Sequence, residues 1–556
     1  MTTPSQHSGL PPRSAAVAHL LAVYEAEMTH GSQAQAMAAI DAALADASAA
    51  DWLDLAQRMV LRGLIAPAAD VLTAARARHS RSAEIAFALA GLRLEHQLDT
   101  DAEVLLRDVL TLDPRHCAAA LMLGRLLGRA GRTRASGDVL VAAFLGRRQP
   151  IDRVIQAMEL LDEFDRKADA SAIAEAEISG GCIDPRMHAY AASYAIQLGE
   201  FDLARARYLF AYEHSTQAPE WNVPFGLAST QRYRDANHPD FALLHACLER
   251  PDLSPPARTT LLFALGKAFD DVGDAARAVG YFRDANALAA SLWPRSRKQW
   301  RRGIAARILA KPLAVRRERT GRFTPVFIVG IPRSGTTLTA ELIARNPQVC
   351  NRGELTWMWK QSHRLPPSGQ ADRVLLDSIA AEYERQVRRD DADGIDWFID
   401  KQPLNLLHVD LILALWPHAK IVYCQRSLRD IALSIWMQSF QDDTFAFAFD
   451  FPDIAAFQQG CVKLMEHWQT RYPSAIYALR YEELTGDPDG TVRDLSQWLG
   501  LPSAMSEIPA SSIPAQAINT ASVWQARQPV YRRSVGRWAG YAPLVPELLT
   551  FSANEH

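Results

Sequence analysis

A period of 34 residues runs through the first half of the chain. Registers that begin at residues 49, 83, 117 and 185 are separated by 34, 34 and 68 positions, and a further copy begins at residue 259. In each, a small residue stands at the eighth place (Ala56, Ala90, Gly124, Ala192, Gly266) and another at the twentieth (Ala68, Ala102, Ser136, Ala204, Ala278). A bulky residue follows at the twenty-fourth (Leu72, Leu106, Leu140, Tyr208, Phe282), and the turn place holds Gly63, Gly131, Gly199 and Gly273, with Gln97 as the exception. A unit of this length fits two antiparallel helices. The small residues let them approach closely, and the bulky one fills the gap against the next pair. A plain helical bundle has apolar periodicity but no fixed 34-residue register. One such unit cannot bury its apolar face alone, so the units must stack into an α-solenoid.

The pattern resembles the tetratricopeptide repeat, most clearly in Leu265-Gly-Lys-Ala-Phe269 with Gly273, Ala278, Phe282 and Ala285. The resemblance implies an array over residues 1–290 that does no chemistry itself and binds peptide segments on its concave face. Pro219, Pro224, Pro239, Pro251, Pro255 and Pro256 interrupt the register, and a bend in the array is expected there. A linker over 291–322 follows. From Arg295 to Arg322 it holds eleven Lys and Arg against the single acid Glu318. It reads equally as a docking face and as a solvated segment beside acidic neighbours.

With 556 residues, 48% of them apolar and 22% charged, the composition is that of an ordinary globular chain, and the formal net charge of -3 gives no bias toward nucleic acid or membranes. The six cysteines (Cys117, Cys182, Cys247, Cys350, Cys424, Cys461) lie far apart without C-x-x-C spacing, which argues against a disulfide framework and a structural zinc site. No window approaches about 20 consecutive apolar residues, and the N-terminal stretch lacks the pattern of a signal peptide. A reducing, cytoplasmic setting is expected.

After Arg322 the pattern changes to short β-branched runs alternating with helical periodicity. Strands are expected at Val326 to Val329, Trp397 to Ile399, Lys420 to Cys424 and Ala475 to Leu479, with helices near Thr336 to Arg345, Leu404 to Leu415, Leu428 to Phe440, Ile454 to Trp468 and Val492 to Leu499. That alternation predicts a mostly parallel α/β sheet over 323–556 with ligands beyond the carboxyl ends of its strands. At one such end lies Gly330-x-x-x-x-Gly335-Thr336-Thr337, a phosphate loop in which threonine replaces the usual lysine and Arg333 stands three positions earlier. Backbone N–H groups of such a loop bind an anion whatever the side chains are. A kinase or ATPase needs that lysine and a magnesium-holding aspartate, and no apolar strand here ends in an obvious one. The site is expected to be metal-free.

Pro332-Arg-Ser-Gly-Thr-Thr-Leu338 resembles the 5′-phosphosulfate loop of sulfotransferases that use 3′-phosphoadenosine 5′-phosphosulfate (PAPS), in the arginine-bearing form of protein-tyrosine sulfotransferases. The likeness continues through Arg426 and Ser434, eight residues apart, through Leu479-Arg-Tyr-Glu-Glu-Leu484 and through Trp498-Leu-Gly-Leu-Pro502. With the repeats, the chain is similar to bacterial proteins that join tetratricopeptide repeats to a sulfotransferase domain. The resemblance implies the following roles. Glu354 is the base that takes the acceptor proton, although its glycine directly precedes it instead of standing two before. Lys401 stabilises charge on the leaving phosphate, and Ser522 contacts the sulfate. Arg333, Ser334, Gly335, Thr336 and Thr337 hold the 5′-phosphosulfate, and Arg426 and Ser434 hold the 3′-phosphate. Tyr481 approaches adenine or ribose, and Arg532 and Arg533 reach phosphate. Gln438 and Gln528 depart from the family's basic residues, with Arg527 as a substitute for the second. Cys350 and Cys424 read as small core residues, and His408 and His418 as packing residues. The implied activity is sulfuryl transfer from PAPS to a hydroxyl, foremost a tyrosine of a protein or peptide recruited by the repeats. Glycan, lipid and small-molecule acceptors stay open, as do a homodimer and a binding scaffold with an inactive nucleotide domain.

Overall fold

The computed structural model describes residues 21, 22, 24, 32–294, 296–311, 313, 322–365, 373–390, 392–440, 443–502 and 532–551. The chain divides into two compact units, Met1–Asp169 and Ala170–His556.

The first unit is built of helical pairs in the expected register: Ala49–Leu61 with Ile65–Arg78, Ala83–Glu95 with Asp99–Leu112, and Cys117–Arg129 with Thr133–Phe144. Packing inside a pair follows the small-for-bulky rule. A Cβ added at Gly124 would lie 3.0 Å from Leu140, and the buried Ser136 hydroxyl donates to the Gly124 carbonyl at 2.7 Å. Helices also begin at Ile151 and Lys167, so the 68-residue gap holds a repeat that the sequence reading passed over. There Met158 occupies the eighth place and Ala174 the twenty-fourth, the reverse of the small-then-bulky order in the other units. At the turn place Gly63, Gly131, Gly199 and Gly273 have φ of 77–85°, and Gln97 and Asp165 adopt the same left-handed conformation at 58° and 62°. That conformation costs a non-glycine residue roughly 1–2 kcal/mol, so the register imposes it even where glycine is missing.

The second unit contains the pairs Pro185–Leu198 with Phe201–His214 and Pro255–Asp271 with Ala275–Leu292. Between them the register is interrupted, as its prolines predict, by the short helices Val223–Ser229 and Pro239–Leu248. Gly226 still leaves room for the Tyr208 ring, 2.3 Å from where its Cβ would stand. The buried Asp240 gathers donors there: Arg205 donates to it twice at 2.7 Å, and the Tyr233 hydroxyl donates to it at 2.6 Å.

A five-stranded, wholly parallel sheet forms the rest, with strands β1 (Thr324–Gly330), β2 (Val349–Asn351), β3 (Trp397–Asp400), β4 (Lys420–Gln425) and β5 (Ile476–Arg480) in the order β2-β3-β1-β4-β5. All but β2 were legible; it is three residues long, too short to show a pattern. Val326 and Ile328 face the core beneath Ile343 and Leu495, while Phe327 and Val329 face the other core with Tyr383 and Trp416. Burial on both faces explains the uninterrupted apolar run of β1. The helices Trp357–Ser362 and Arg373–Arg388 were not anticipated, and the segment from Leu404 to Leu415 is a 3₁₀ turn, Pro403–His408, leading into the helix Val409–Leu415.

This second core also takes in the last repeat pair. Phe282 packs on Trp436 with ring centroids 5.8 Å apart, and Asn286 donates to the Trp436 carbonyl at 2.8 Å. The described part of the basic segment is a helix, Arg297–Leu309, against the helix Phe451–Arg471. Trp300 donates to the Ala456 carbonyl at 3.1 Å, Arg297 pairs with Asp453 at 2.8 Å, and burial lowers the pKa of the Arg307 guanidinium.

The last repeat pair, Pro255–Asp271 with Ala275–Leu292, supplies a test of the packing rule. A Cβ at Gly266 would lie 2.6 Å from the Phe282 ring, whereas Gly280 faces open space. Gly266→Val should lower stability by about 1–3 kcal/mol in denaturant unfolding, and Gly280→Ala should raise it by up to about 1 kcal/mol.

Candidate active site

The order β2-β3-β1-β4-β5 puts the end of β1 between the ends of β3 and β4, the switch point at which an open parallel sheet binds ligands. The loop Gly330–Gly335 leaves β1 there and enters the helix Thr336–Ile343. Arg333 and Gly335 are both left-handed, at φ 74° and 100°, and the Ser334 N–H donates back to the Ile331 carbonyl at 3.0 Å. Among the described residues no side chain caps the first turn of the helix. Its N–H groups, with the alternating backbone before them, form an anion nest. Ser334 is 1% exposed, and its hydroxyl has no hydrogen-bond partner among the described residues. Thr336 is buried and Thr337 half-buried.

The structure gathers the expected 3′-phosphate residues around this loop. Arg333 Nε donates to Ser434 Oγ at 2.9 Å, and Arg426 Nη1 donates to the Arg333 carbonyl at 2.9 Å. The Arg426 guanidinium lies 4.6 Å from the centre of the Tyr481 ring, and its buried Nε has no partner among the described residues. Its other nitrogen, Nη2, donates to the Ser534 carbonyl at 2.6 Å, and the hydroxyls of Tyr481 and Ser534 meet at 2.8 Å. Two buried polar atoms without a partner among the described residues, beside a backbone nest, fit an anionic ligand.

The second group is set by β2 and β3. Arg352 N–H donates to the Ile399 carbonyl at 2.9 Å and Lys401 N–H to the Gly353 carbonyl at 2.8 Å, so ladder bonds continue past both strands. Gly353, directly before Glu354, takes the left-handed turn at φ 67°, and its N–H is held by Asn351 Oδ1 at 3.0 Å. The shifted glycine is thus the residue on which the loop turns. Lys401 is 2% exposed and donates through Nζ to Glu354 Oε1. Beneath them Asp400 is fully buried; burial pushes its pKa up to about 8, against the lowering influence of Tyr383, Asn405, the Leu355 N–H and Lys401.

Ser522 and Arg527 lie outside the described residues. Arg532 and Arg533 stand in the segment 532–551, but Ser534, which the sequence reading passed over, makes the bonds to Arg426 and Tyr481. Asp430 was missed too: it is buried and accepts from the N–H groups of Gly536 and Trp538 at 2.7 and 3.0 Å. An isolated aspartate inside an apolar helix, in Leu428-Arg-Asp-Ile431, was the available signal. Burial pushes the Cys424 thiol up to about 12, consistent with a core residue, and Cys350 is half-buried. His408 is buried with its pKa lowered to about 3, while His418 Nε2 lies 2.7 Å from the Phe323 carbonyl. No metal-binding group of three or more His, Cys, Asp or Glu occurs among the described residues, and no described helix is long and apolar enough to cross a membrane.

Fold and site define a parallel-sheet phosphate-loop domain preceded by helical repeats. Residues 325–505 match the model of the Sulfotransferase family, and the C-terminal part of the chain carries a domain of that family. An uncharacterized Aquifex aeolicus protein is 33% identical over 236 residues, which is 39% of this chain and 30% of that protein. Protein-tyrosine sulfotransferase 1 of Danio rerio is 25% identical and the protein-tyrosine sulfotransferase of Drosophila melanogaster 23% identical, each over 245 residues, or 66% and 47% of their lengths. The chain therefore spans less than two thirds of each of these curated relatives. Among solved structures, sulfotransferase STF1 of Mycobacterium tuberculosis aligns at 14% identity and TM-score 0.24, over 50% of this chain and 92% of that one. The P58(IPK) TPR domain aligns at 12% identity and TM-score 0.20, over 81% and 96%.

Asp400 yields a pH prediction. A carboxyl whose pKa is higher folded than unfolded binds more protons in the folded state, so its contribution to stability is complete below pH 4 and is lost as pH rises to about 8. Asp400→Asn removes that titration. Between pH 5 and 8 the wild type should lose stability relative to Asp400→Asn, by on the order of a few kcal/mol, measured by urea unfolding at each pH.

Proposed function

We propose that the protein transfers the sulfuryl group of PAPS to a hydroxyl, with a tyrosine of a protein or peptide as acceptor. The observation that carries this reading is the buried Lys401 ammonium paired with the partly exposed Glu354 carboxylate, one strand away from a lysine-free phosphate loop. In the transfer, the acceptor oxygen bonds to sulfur as the bond between sulfur and the 5′-phosphate oxygen breaks, the acceptor proton passes to Glu354, and adenosine 3′,5′-bisphosphate leaves with the electron pair. Lys401 has three N–H donors. One holds Glu354, which leaves others for the negative charge that grows on the leaving oxygen, where a pre-positioned cation is most effective.

The loop N–H groups with Ser334, Thr336 and Thr337 would bind the 5′-phosphate end. The unsatisfied Ser334 hydroxyl supports that role, as the unsatisfied Arg426 Nε supports a 3′-phosphate beside Arg426 and Ser434. Arg333, bonded to Ser434 and through its carbonyl to Arg426, ties the two ends together. Tyr481, under the Arg426 guanidinium, would face the adenosine, and Ser522, Arg527, Arg532 and Arg533 complete the reading taken from the resemblance. A tyrosine acceptor is supported by the two relatives named as protein-tyrosine sulfotransferases and by repeats of a kind that binds peptide segments.

The test is transfer of radiolabelled sulfur from PAPS into extract of the source organism, followed by separation of protein from small molecules. Wild-type label should appear in protein and survive as sulfotyrosine after alkaline hydrolysis. Glu354→Gln should lower kcat by roughly 10²–10⁴-fold and Lys401→Ala by about 10²–10³-fold, with adenosine 3′,5′-bisphosphate binding of Glu354→Gln unchanged in calorimetry. Label confined to sugars, lipids or small molecules would overturn the protein acceptor. Absence of label with intact bisphosphate binding would make the domain a nucleotide-binding scaffold.

A further inference from the structure

The C-terminal segment joins two places that the sequence keeps more than a hundred residues apart. At one end Ser534 receives Arg426 Nη2 on its carbonyl and meets the Tyr481 hydroxyl. Two residues on, the N–H groups of Gly536 and Trp538 both donate to the buried Asp430 carboxylate, and Arg429 stacks over the Trp538 ring at 4.4 Å. At the other end Arg537 donates to Asp270 Oδ2 at 2.6 Å, and the Tyr541 hydroxyl donates to Asp270 Oδ1. Asp270 belongs to the helix Pro255–Asp271 of the last repeat pair. Arg537 therefore projects from the very residues that Asp430 clamps, and Asp270 holds it from the repeat side. Burial first, then the Asp270 charge, keeps the Tyr541 phenol above its ordinary pKa, so it remains a donor through neutral pH.

We propose that Asp270 is a positioning residue for the nucleotide end of the site: by holding Arg537 and Tyr541 it fixes the segment from Ser534 to Trp538, and through Ser534 it fixes Arg426 and Tyr481. The last repeat pair is then part of the nucleotide site's scaffold as well as of the array. The idea rests on Arg426 and Tyr481 binding the nucleotide, as in the reading above. Asp270 touches neither substrate nor reacting atoms, so its loss should affect binding of the nucleotide and leave the chemical step alone.

Arg283 supplies a control. It anchors the same C-terminal segment further along, donating to Glu547 at 2.9 Å and to the Leu544 carbonyl at 3.3 Å, beyond the part that touches the site. In the full-length protein, calorimetry with adenosine 3′,5′-bisphosphate should show a roughly 2- to 30-fold weaker Kd for Asp270→Asn and for Arg537→Ala. The double variant should be no weaker than Asp270→Asn alone, and Arg283→Ala should bind as the wild type does even if it melts earlier. In sulfuryl transfer, Asp270→Asn should raise KM for PAPS and keep kcat at saturation, and Asp270→Glu should recover part of the loss. Wild-type binding with an unchanged Kd in Asp270→Asn overturns this proposal alone, as does an equal loss in Arg283→Ala. Failure of the wild type to bind the bisphosphate overturns the functional reading and this proposal with it.

Discussion

Gly330 and Gly335 leave no room for a side chain. A Cβ on the first would stand 2.6 Å from Ser334 Oγ and 2.8 Å from the Cys424 carbonyl, and on the second 2.5 Å from the Tyr481 ring at a φ of 100°. The phosphate loop therefore sits directly against β4 and against the residue that follows β5. That closeness assembles the site: Arg426 follows β4 and reaches the Arg333 carbonyl, and Tyr481 follows β5 and lies under Arg426. A looser loop would leave the same residues on separate strand ends. Backbone approach of this kind is what glycine at fixed positions makes possible.

The electrostatics follow from the same sheet. Lys401 and Asp400 are adjacent in the chain and both buried, but they meet opposite conditions. Lys401 finds the Glu354 carboxylate across the β2 loop, whereas Asp400 points where burial raises its pKa to about 8 and Tyr383 donates to it at 3.2 Å. Lys401 is thus held, itself buried, beside a carboxylate that keeps partial solvent access. Neither partner could be positioned by its own segment, because the ladder bonds from Lys401 to Gly353 and from Arg352 to Ile399 set the distance between them.

The repeats show how far a rule of size carries. Helix starts at residues 49, 83, 117, 151 and 185 keep the 34-residue spacing without a break, although the unit at 151 has exchanged its small and bulky places. Register and turn conformation survive that exchange, since Asp165 takes the left-handed turn at φ 62° where glycine stands in most other units. What the last pair adds is attachment. Phe282 and Asn286 face Trp436, and Asp270 faces Arg537, so the end of the array and the sheet domain share one core.

Local signals determined a great deal. The 34-residue register, the four longer strands and the loop Gly330–Gly335 were legible because each depends on residues near one another in sequence: small against bulky within a helical pair, apolar runs buried on two faces, glycines where the chain must turn. The short strand β2 was not, because three residues show no pattern, nor was the unit at 151, whose small and bulky places are reversed; the roles of Asp430 and Ser534 were not, because their partners lie far away in the chain. Gly536 and Trp538 reach Asp430 across more than a hundred residues, and only folding reveals that a polar group in an apolar helix has donors waiting for it. The sequence alone determined which chemical groups this chain possesses and the order of its elements. Tertiary structure decided which of them meet: Lys401 with Glu354, Arg426 with Ser534, Asp270 with Arg537. The physical reason is that long-range polar pairing has no period to be read in a sequence, whereas the packing of helices and strands does.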